Sequence, residues 1–388
     1  MKLCDKIRCT GCGACVNSCP HGCILMVRNS QGFDYPAIDD ASCVKCGLCE
    51  KVCAKVEAGL EERTPRVYSV TLKDEKIIKK SSSGGAAYAL AKKCIENGGV
   101  VFGAAYNDRL QVRHIAVPSC DELQKLQGSK YVQSRIGSSY KEAKDILQSG
   151  KKVMFFGTPC QIHGLQAFLT DDDMENLVTC DLLCAGVPSP GLFEKYISEL
   201  RDKYGEIENY NFRSKKYGYG YGYLIQSIIN GKEKILTGDD ASFVKTMSAG
   251  FVRESCLNCK FRNISRVGDI TIGDFGDLKV PYEQWKNGIS VILANTFKGE
   301  QIIKSLTDEV IVEERTLDDC IKLRASSLKG SKKKPANYND FFIDYPKMTW
   351  GELSKKYLMP KSVKKKIVEL VPPFIMAFVR NFRRKMHS

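Results

Sequence analysis

Two runs of cysteine near the N-terminus constrain this chain more than anything else in it. Cys9-x2-Cys12-x2-Cys15-x3-Cys19-Pro20 is the first, and Cys43-x2-Cys46-x2-Cys49-x3-Cys53 repeats its spacing. Three thiolates two residues apart let one tight loop occupy three corners of an iron–sulfur cubane. Gly11, Gly13 and Gly47 permit the positive φ such a loop needs and keep the backbone close to sulfur. The fourth cysteine of each run is expected to reach the other cluster. Cys9, Cys12, Cys15 and Cys53 are therefore predicted to hold one 4Fe–4S cluster, and Cys43, Cys46, Cys49 and Cys19 a second. Paired zinc sites compete with this reading, but zinc favours two Cys-x2–4-Cys pairs over a triple with a distant fourth. Ala54 stands where the first run has Pro20.

A ferredoxin-like module of this kind ends near residue 60, and a chain of 388 residues leaves room for further domains. Glu61-Glu62-Arg63-Thr64-Pro65 reads as a linker. In residues 66–150, Ser81-Ser82-Ser83-Gly84-Gly85 reads as a loop and residues 86–96 carry helical apolar spacing. Asn97-Gly98-Gly99 stops that helix, and residues 100–106 form an apolar strand. Residues 151–330 open with a short strand at 152–156, the turn Gly157-Thr158-Pro159-Cys160 and a helix through Leu169. A second strand is predicted over about 177–183, ending at Cys184. This alternation predicts an α+β or α/β fold: a module over 1–60, an α/β body over 66–150 and 151–330, and a basic tail over 331–388. The Tyr/Gly-rich stretch 217–223 is expected to be a flexible or ligand-facing loop.

Ten of the 18 cysteines precede residue 54, and the first thirty residues contain no apolar h-region. That pattern points to a reducing compartment and to metal or catalytic thiolates rather than disulfides. No apolar run reaches the roughly 18 residues of a spanning helix, so a cytoplasmic location is expected. The formal charge is +14, yet Lys361, Lys364, Lys365, Lys366, Arg380, Arg383, Arg384 and Lys385 against Glu369 give the tail alone +7. Three Cys4-ligated clusters at about −2 each would bring the total to about +8. The body is then only mildly basic, and no nucleic-acid partner is expected.

Four more cysteines stand out in the body. Cys160 and Cys184 each follow a predicted strand, and Cys256-x2-Cys259 forms a pair. Ligand sites gather at strand carboxyl ends in α/β sheets, so these four are candidates for a third cluster. A zinc site, or a structural pair with two buried thiols, is the alternative. Cys4, Cys23, Cys94, Cys120, Cys180 and Cys320 have no metal spacing and are expected to be packed thiols. The only histidines are His21, His114, His163 and His387, with no Ser-His-Asp order and no Walker loop, and no residue is assigned as catalytic.

Further stretches occur in order: Ser82-Ser83-Gly84-Gly85; Gly128-Ser129-Lys130-Tyr131-Val132-Gln133-Ser134; Phe156-Gly157-Thr158-Pro159-Cys160-Gln161; and Asp181-Leu182-Leu183-Cys184 with Gly186-Val187-Pro188-Ser189-Pro190. Phe212-Arg213 follows, then Ser255-Cys256-x2-Cys259-Lys260-Phe261 with Arg266, Asp269, Ile270 and Gly273-Asp274-Phe275. With the cysteine runs, these resemble the family of coenzyme F420 hydrogenase/dehydrogenase beta subunits, flavin and iron–sulfur oxidoreductases, over about residues 1–330. The resemblance implies bound FAD and strengthens the third cluster. It suggests Ser83, Gly84 and Gly85 as part of the flavin loop, which suits small residues opening a helix toward phosphate. It also suggests Lys130 and Tyr131 as contacts to flavin or substrate, and Asp269 and Asp274 as site-forming residues. Two departures fall beside these positions: Ala185 stands where the family often has His, and Gly276-Asp277 where it commonly has Trp-Gly. They bear on the substrate, and F420 itself is not implied.

Clusters move one electron at a time and hydride donors move two, and flavin joins the two regimes. The resemblance therefore implies electrons passing from a reduced partner protein or partner subunit through the clusters to FAD. From there they would reach a small organic acceptor by hydride transfer, or flow in reverse, as in an anaerobe's metabolism. A non-catalytic electron-transfer subunit and a regulatory redox sensor are the competing readings. Residues 361–388 set basic ends around Ile367, Val368 and the stretch 374–379, interrupted by Pro372-Pro373. That predicts a peripheral contact with anionic lipid at the inner membrane face, with packing on the body or on a partner subunit as the alternative.

Overall fold

Gly32, at φ +79°, turns the chain between two short strands, β1 (Ile24–Arg28) and β2 (Asp34–Ile38), which pair antiparallel with Ile24 opposite Ile38. The computed structural model of the protein describes residues 3–57, 59–220, 223–306, 308–359 and 371–386. Each cysteine run leads into a helix, α1 (Ala14–Ser18) and α2 (Leu48–Glu57). Gly11, Gly13 and Gly47 adopt φ of +66°, +77° and +79°, the left-handed backbone expected of the cysteine loops.

The body follows as β3 (Arg66–Leu72), α3 (Glu75–Lys80), α4 (Ala86–Glu96), β4 (Val100–Tyr106), β5 (Val112–Val117), α5 (Ser139–Gln148), β6 (Val153–Gly157), α6 (Pro159–Phe168), β7 (Leu177–Leu182) and α7 (Pro190–Tyr204). Beyond these lie β8 (Ile207–Asn211), β9 (Ile225–Ile229), β10 (Lys232–Leu236), β11 (Ile270–Asp274), β12 (Ser290–Ala294) and β13 (Val310–Arg315). Eight strands form one sheet in the order β13-β3-β12-β11-β7-β6-β4-β5, and β10-β9-β8 form a second. Only β4, β6, β7 and β11 run parallel to their neighbours, while β5, β12, β3 and β13 pair antiparallel. The sheet is therefore mixed. Residues 107–111 link β4 to β5 in a connection too short for a parallel crossover, so that edge must be a hairpin.

The module shares its core with the body. Ala14, Cys15, Ile24, Val52 and Val56 pack in one buried cluster with Phe102, Ile136, Tyr140, Phe155, Ile162 and Leu165. On the other side, Phe33 and Tyr35 join the core built by α7 and the second sheet. Asp34 accepts from Arg28 at 2.6 Å and from Arg135 at 2.8 Å, tying the hairpin to the body. Three parallel strands point their carboxyl ends the same way: β6 toward Cys160, β7 toward Cys184, and β11 ending on Asp274. The candidate site forms at that edge.

Candidate redox centres and ligand cavity

The two cysteine runs interleave. Cys43, Cys46 and Cys49 border one small cavity together with Cys19 of the first run. Cys12 and Cys15 in turn lie within the electrostatic reach of Cys9 and Cys53. Burial pushes the Cys12 thiol up to about 11 and raises Cys15 as well, so neither ionises readily at neutral pH. Bound iron would supply the positive charge that makes them thiolates. Among the described residues no three His, Cys, Asp or Glu side chains close on one point as around a single ion. Cys4 and Cys23, expected to be packed thiols, pack into the apolar clusters beside ligand candidates. Cys23 Sγ is 3.3 Å from Cys19 Sγ, and Cys4 packs against the apolar cluster that holds Cys9. Cys94, Cys120, Cys180 and Cys320 also pack into the body's apolar clusters.

The fold also gathers the four scattered cysteines. Cys160 lies within electrostatic reach of Cys259, Cys184 and Cys256, and Cys256 within reach of Cys184 and Cys259. Burial, then these neighbours, raises both thiols. Cys160 opens α6, where Thr158 caps the helix with Gln161. A fully buried ion pair holds the Cys259 segment to β7: Arg266 donates to Asp181 at 2.7 Å, to Phe261 O at 2.7 Å and to Leu182 O at 2.9 Å. The same α6 touches the module. A Cβ on Gly164 would lie 2.9 Å from Cys12 Cβ and 3.1 Å from its Sγ. Cys160 and Gly164 are four residues apart, about 6 Å along a helix axis. Tyr140, whose hydroxyl donates to Gln161 O at 2.6 Å, has Cys12, Cys160 and Cys15 around it. One helix thus spans the gap between the first cysteine set and the third.

Beside the third set lies a cavity of about 540 Å³, within the range of small-molecule sites. Cys184 and Ala185 border it, as do Ser82, Ser83, Gly85, Lys130, Tyr131, Arg213, Asp274 and Arg324. The N-terminal turn of α4 opens into it, with Gly85 at φ +85° as N-cap. Ser129 N donates to Ser82 Oγ at 2.7 Å, joining the serine loop to the 128–134 segment. Ala185, where the family often carries His, leaves that part of the wall without an imidazole.

The predicted flavin residues divide by role. Gly84 does not line the cavity. It is wedged between β3 and β12, where a Cβ would meet Val70 O at 2.2 Å and Ser290 N at 2.5 Å. Ser83 Oγ lies 2.6 Å from Ile289 O and 3.0 Å from Asp274 Oδ1, so its proton serves the protein. Lys130 turns its amine onto the carbonyls of Gln127 at 3.0 Å and Gly128 at 3.2 Å, and burial lowers it to about 7. Tyr131 meets Tyr223 edge-on at 5.1 Å and Phe212 at 5.5 Å.

Asp274 is the polar centre of the wall. It accepts from Arg213 at 2.5 Å, from Gly276 N at 3.0 Å and from the Tyr219 hydroxyl. Burial pushes its carboxyl up, but Arg213 and Arg324 outweigh that and hold it below the usual range. Of the described residues in the 217–223 stretch, Tyr223 borders the cavity, while Tyr219 is buried behind it on Asp274; 221 and 222 lie outside the described residues. Asp269, expected to be site-forming, is structural: it accepts from Thr179 N at 2.9 Å and Thr296 Oγ1 at 2.8 Å, away from the cavity. Lys215, not singled out from sequence, donates to Ser83 O at 2.6 Å, Asn287 O at 2.7 Å and Ile78 O at 2.8 Å. It clamps the serine loop from below, and burial lowers it to about 7.

Interleaved cysteine sets on a mixed α/β body with a polar-walled cavity define an iron–sulfur redox protein. Residues 8–56 match the 4Fe-4S dicluster domain. Residues 67–141 and 150–319 match the N-terminal and C-terminal models of the coenzyme F420 hydrogenase/dehydrogenase beta subunit, and the chain belongs to that family. It is similar to one subunit of the F(420)H(2) dehydrogenase of Methanosarcina mazei, 21% identical over 188 residues that cover 45% of this chain. The match spans about half, 53%, of that relative's length. A protein encoded in the rpl9-rpl11 intergenic region of Porphyra purpurea is 37% identical over 60 residues, covering 15% of this chain and 80% of that protein. A chain of the F420-reducing NiFe hydrogenase complex from Methanosarcina barkeri aligns with TM-score 0.48 at 19% identity, covering 69% of this chain and 89% of that one.

Proposed function

We propose that this chain takes electrons from a reduced partner protein at its N-terminal module and passes them through a cluster at Cys160, Cys184, Cys256 and Cys259. The cavity would hold FAD, and a small organic acceptor, F420-like or other, would be reduced there by hydride transfer; the reverse flow uses the same parts. One placement carries this reading: Cys184 borders the cavity that Ser82, Ser83 and Gly85 also line, while α6 joins Cys160 to Cys12. Bound flavin would supply the exchange between single electrons and a hydride pair. The chain's own residues do the rest. The first turn of α4, Ala86 to Tyr88, lines the cavity, and a helix N-terminus suits a phosphate. Asp274 anchors Arg213, which keeps its charge at the wall. Buried His114 donates from Nε2 to Phe156 O at 2.8 Å and accepts from Ser134 at 3.0 Å, so it presents a neutral ring.

Anaerobic purification with iron, acid-labile sulfide and flavin counted per chain tests the reading. About 12 iron and one flavin are expected. About 8 iron without flavin would overturn it in favour of a non-catalytic relay, a reading favoured by relatives described as subunits. Reduction of candidate acceptors by the isolated chain separates the two.

We also propose a contact with anionic lipid through the C-terminal helix Pro373–Met386. Two of its cations hold the body: Arg384 lies 5.2 Å and Arg380 5.9 Å from the Trp285 ring, and Arg380 reaches Asp277 at 3.4 Å. Its outward stripe is apolar, with Phe374, Phe378, Phe382 and Met386 exposed beside Arg383. An apolar stripe edged by cations suits an anionic bilayer surface. The basic residues at 361–370 lie outside the described residues, and no described helix is long and apolar enough to cross a membrane. Flotation with anionic vesicles should be lost in Phe378→Asp/Phe382→Asp; unchanged flotation would remove the idea.

A further inference from the structure

We propose that the guanidinium of Arg253 sets the reduction potential of the cluster held by Cys9, Cys12, Cys15 and Cys53, raising it above that of the Cys43 cluster so that electrons are drawn inward. The inference rests on the reading of the eight spaced cysteines as cluster ligands and goes beyond it. Arg253 belongs to the body, three residues before Cys256, yet its side chain ends in the module. Nη2 donates to Asp34 O at 2.6 Å and Nη1 to Cys9 O at 3.3 Å. Nε donates to Gln133 Oε1 at 2.8 Å, and Gln133 Nε2 donates in turn to Thr10 O at 2.8 Å. A Cβ on Gly11 would lie 2.8 Å from Nη2 and 3.0 Å from Cζ. The guanidinium therefore lies against the backbone that carries Cys9 and Cys12.

The surroundings of this cation set it apart. Arg253 is 1% exposed, and its guanidinium carbon lies 4.3 Å from the centre of the Tyr35 ring and 5.0 Å from that of Phe33. The acceptors Gln133 Oε1, Cys9 O and Asp34 O are all neutral. The acids beside it are engaged elsewhere: the Asp34 carboxylate on Arg28 and Arg135, and Glu254 on Lys334. Arg266, equally buried in the body, has Asp181 at 2.7 Å. A buried charge is costly unless an opposite charge compensates it. For Arg253 the counter-charge at hand is the set of thiolates whose loop it touches.

An oxidised cluster on four thiolates carries about −2, and reduction adds one more negative charge. A fixed cation in a site with little water favours the more negative form, so it raises the potential. Arginine suits this place because it keeps its proton when buried. The two cysteine sets of the module then differ in kind. The Cys43 set includes the exposed Cys46, where water screens charge. The Cys9 set lies inward, with Cys12 against Gly164 of α6 and the third cysteine set beyond. One electron leaves the outer cluster, which is oxidised, and reduces the inner one, with no proton or bond exchanged. The backbone of the same residue reaches the next centre, since Arg253 O accepts from Cys256 N at 2.9 Å. One residue thus touches both sides of the step from the module to the third set.

Anaerobic redox titration of the full chain, followed by electron paramagnetic resonance, tests this on Arg253→Met, Arg253→Gln, Arg253→Lys and Gln133→Met, with iron counted for each. The two neutral variants should keep wild-type iron while one module potential falls. The fall should be about tenfold or more in the reduction equilibrium, about 59 mV for one electron. The other module potential should stay, as an internal control of folding. Arg253→Lys should retain most of the wild-type value. Gln133→Met removes the bond to Nε but not the charge, and should leave the potential in place. Unchanged potentials in both neutral variants overturn the proposal, as does a fall in Arg253→Lys or Gln133→Met as large as in Arg253→Met. Loss of about 4 iron in both neutral variants would make Arg253 a structural strut and overturn it too. Wild-type protein lacking the module's roughly 8 iron would instead sink the underlying ligand reading, a distinguishable result.

Discussion

The module and the body gather cysteine in opposite ways. In the module, eight candidate ligands lie within 45 residues, and glycines at positive φ bend each loop around its own sulfurs. In the body, four candidates span 100 residues and meet only because β6 and β7 end at the same edge while Arg266–Asp181 pins the third segment there. A local site depends on its loops, and a non-local one depends on the whole sheet. The first should survive damage to the fold that would scatter the second. Yet the two are not independent, since α6 carries Cys160 at one end and touches Cys12 at Gly164.

The largest effects should come from breaking one set at a time. Cys256→Ser is expected to remove about 4 iron and leave the module's resonance signals as they are. Gly164→Leu should do the reverse from a position in the body, because its side chain would drive into Cys12; an unaltered module spectrum would show that α6 does not constrain that cluster. Next is the buried pair. Arg266→Met leaves Asp181 charged and unpaired, an expected loss of about 3–5 kcal/mol by guanidinium unfolding. Arg266→Met with Asp181→Leu should recover only part of it, because Val267 N and Gly268 N also donate to Asp181 and would lose their acceptor. Asp274→Asn removes charge from hydrogen bonds worth about 1.5–3 kcal/mol. Flavin affinity, measured by titrating stripped protein, should then weaken about tenfold or more.

Sequence legibility follows the same division. The helix at Ala86–Glu96 and the strand at Val100–Tyr106 were readable because glycines stop them locally. The pairing of β3 with β12 and β13 was not, since those partners lie 200 residues of chain or more away. The two acids of β11 show the limit at a site. Asp269 immediately precedes the strand and Asp274 ends it, so about five residues at 3.3 Å each separate them. Only the carboxyl end faces the cavity. Lys215 acts through backbone carbonyls that carry no sequence signature.

The smallest expected effect concerns His114, which sits under the cavity wall between the two halves. Burial lowers its imidazole from 6.5 to about 4. Between those values the unfolded chain binds a proton that the folded chain refuses. Its contribution is therefore complete above about pH 6.5, declines as the pH falls, and levels off below about 4. At about 1.4 kcal/mol per unit, lowering the pH from 7 to 5.5 should cost the protein about 1 kcal/mol through this residue. His114→Asn keeps a polar group and removes the titration, so its stability should fall less over that interval, with all other carboxylates cancelling between the two proteins. Parallel pH profiles for the two would mean that the ring is reached by water through the cavity. The body's ligand edge would then be as solvated as the exposed cysteine loop around Cys46.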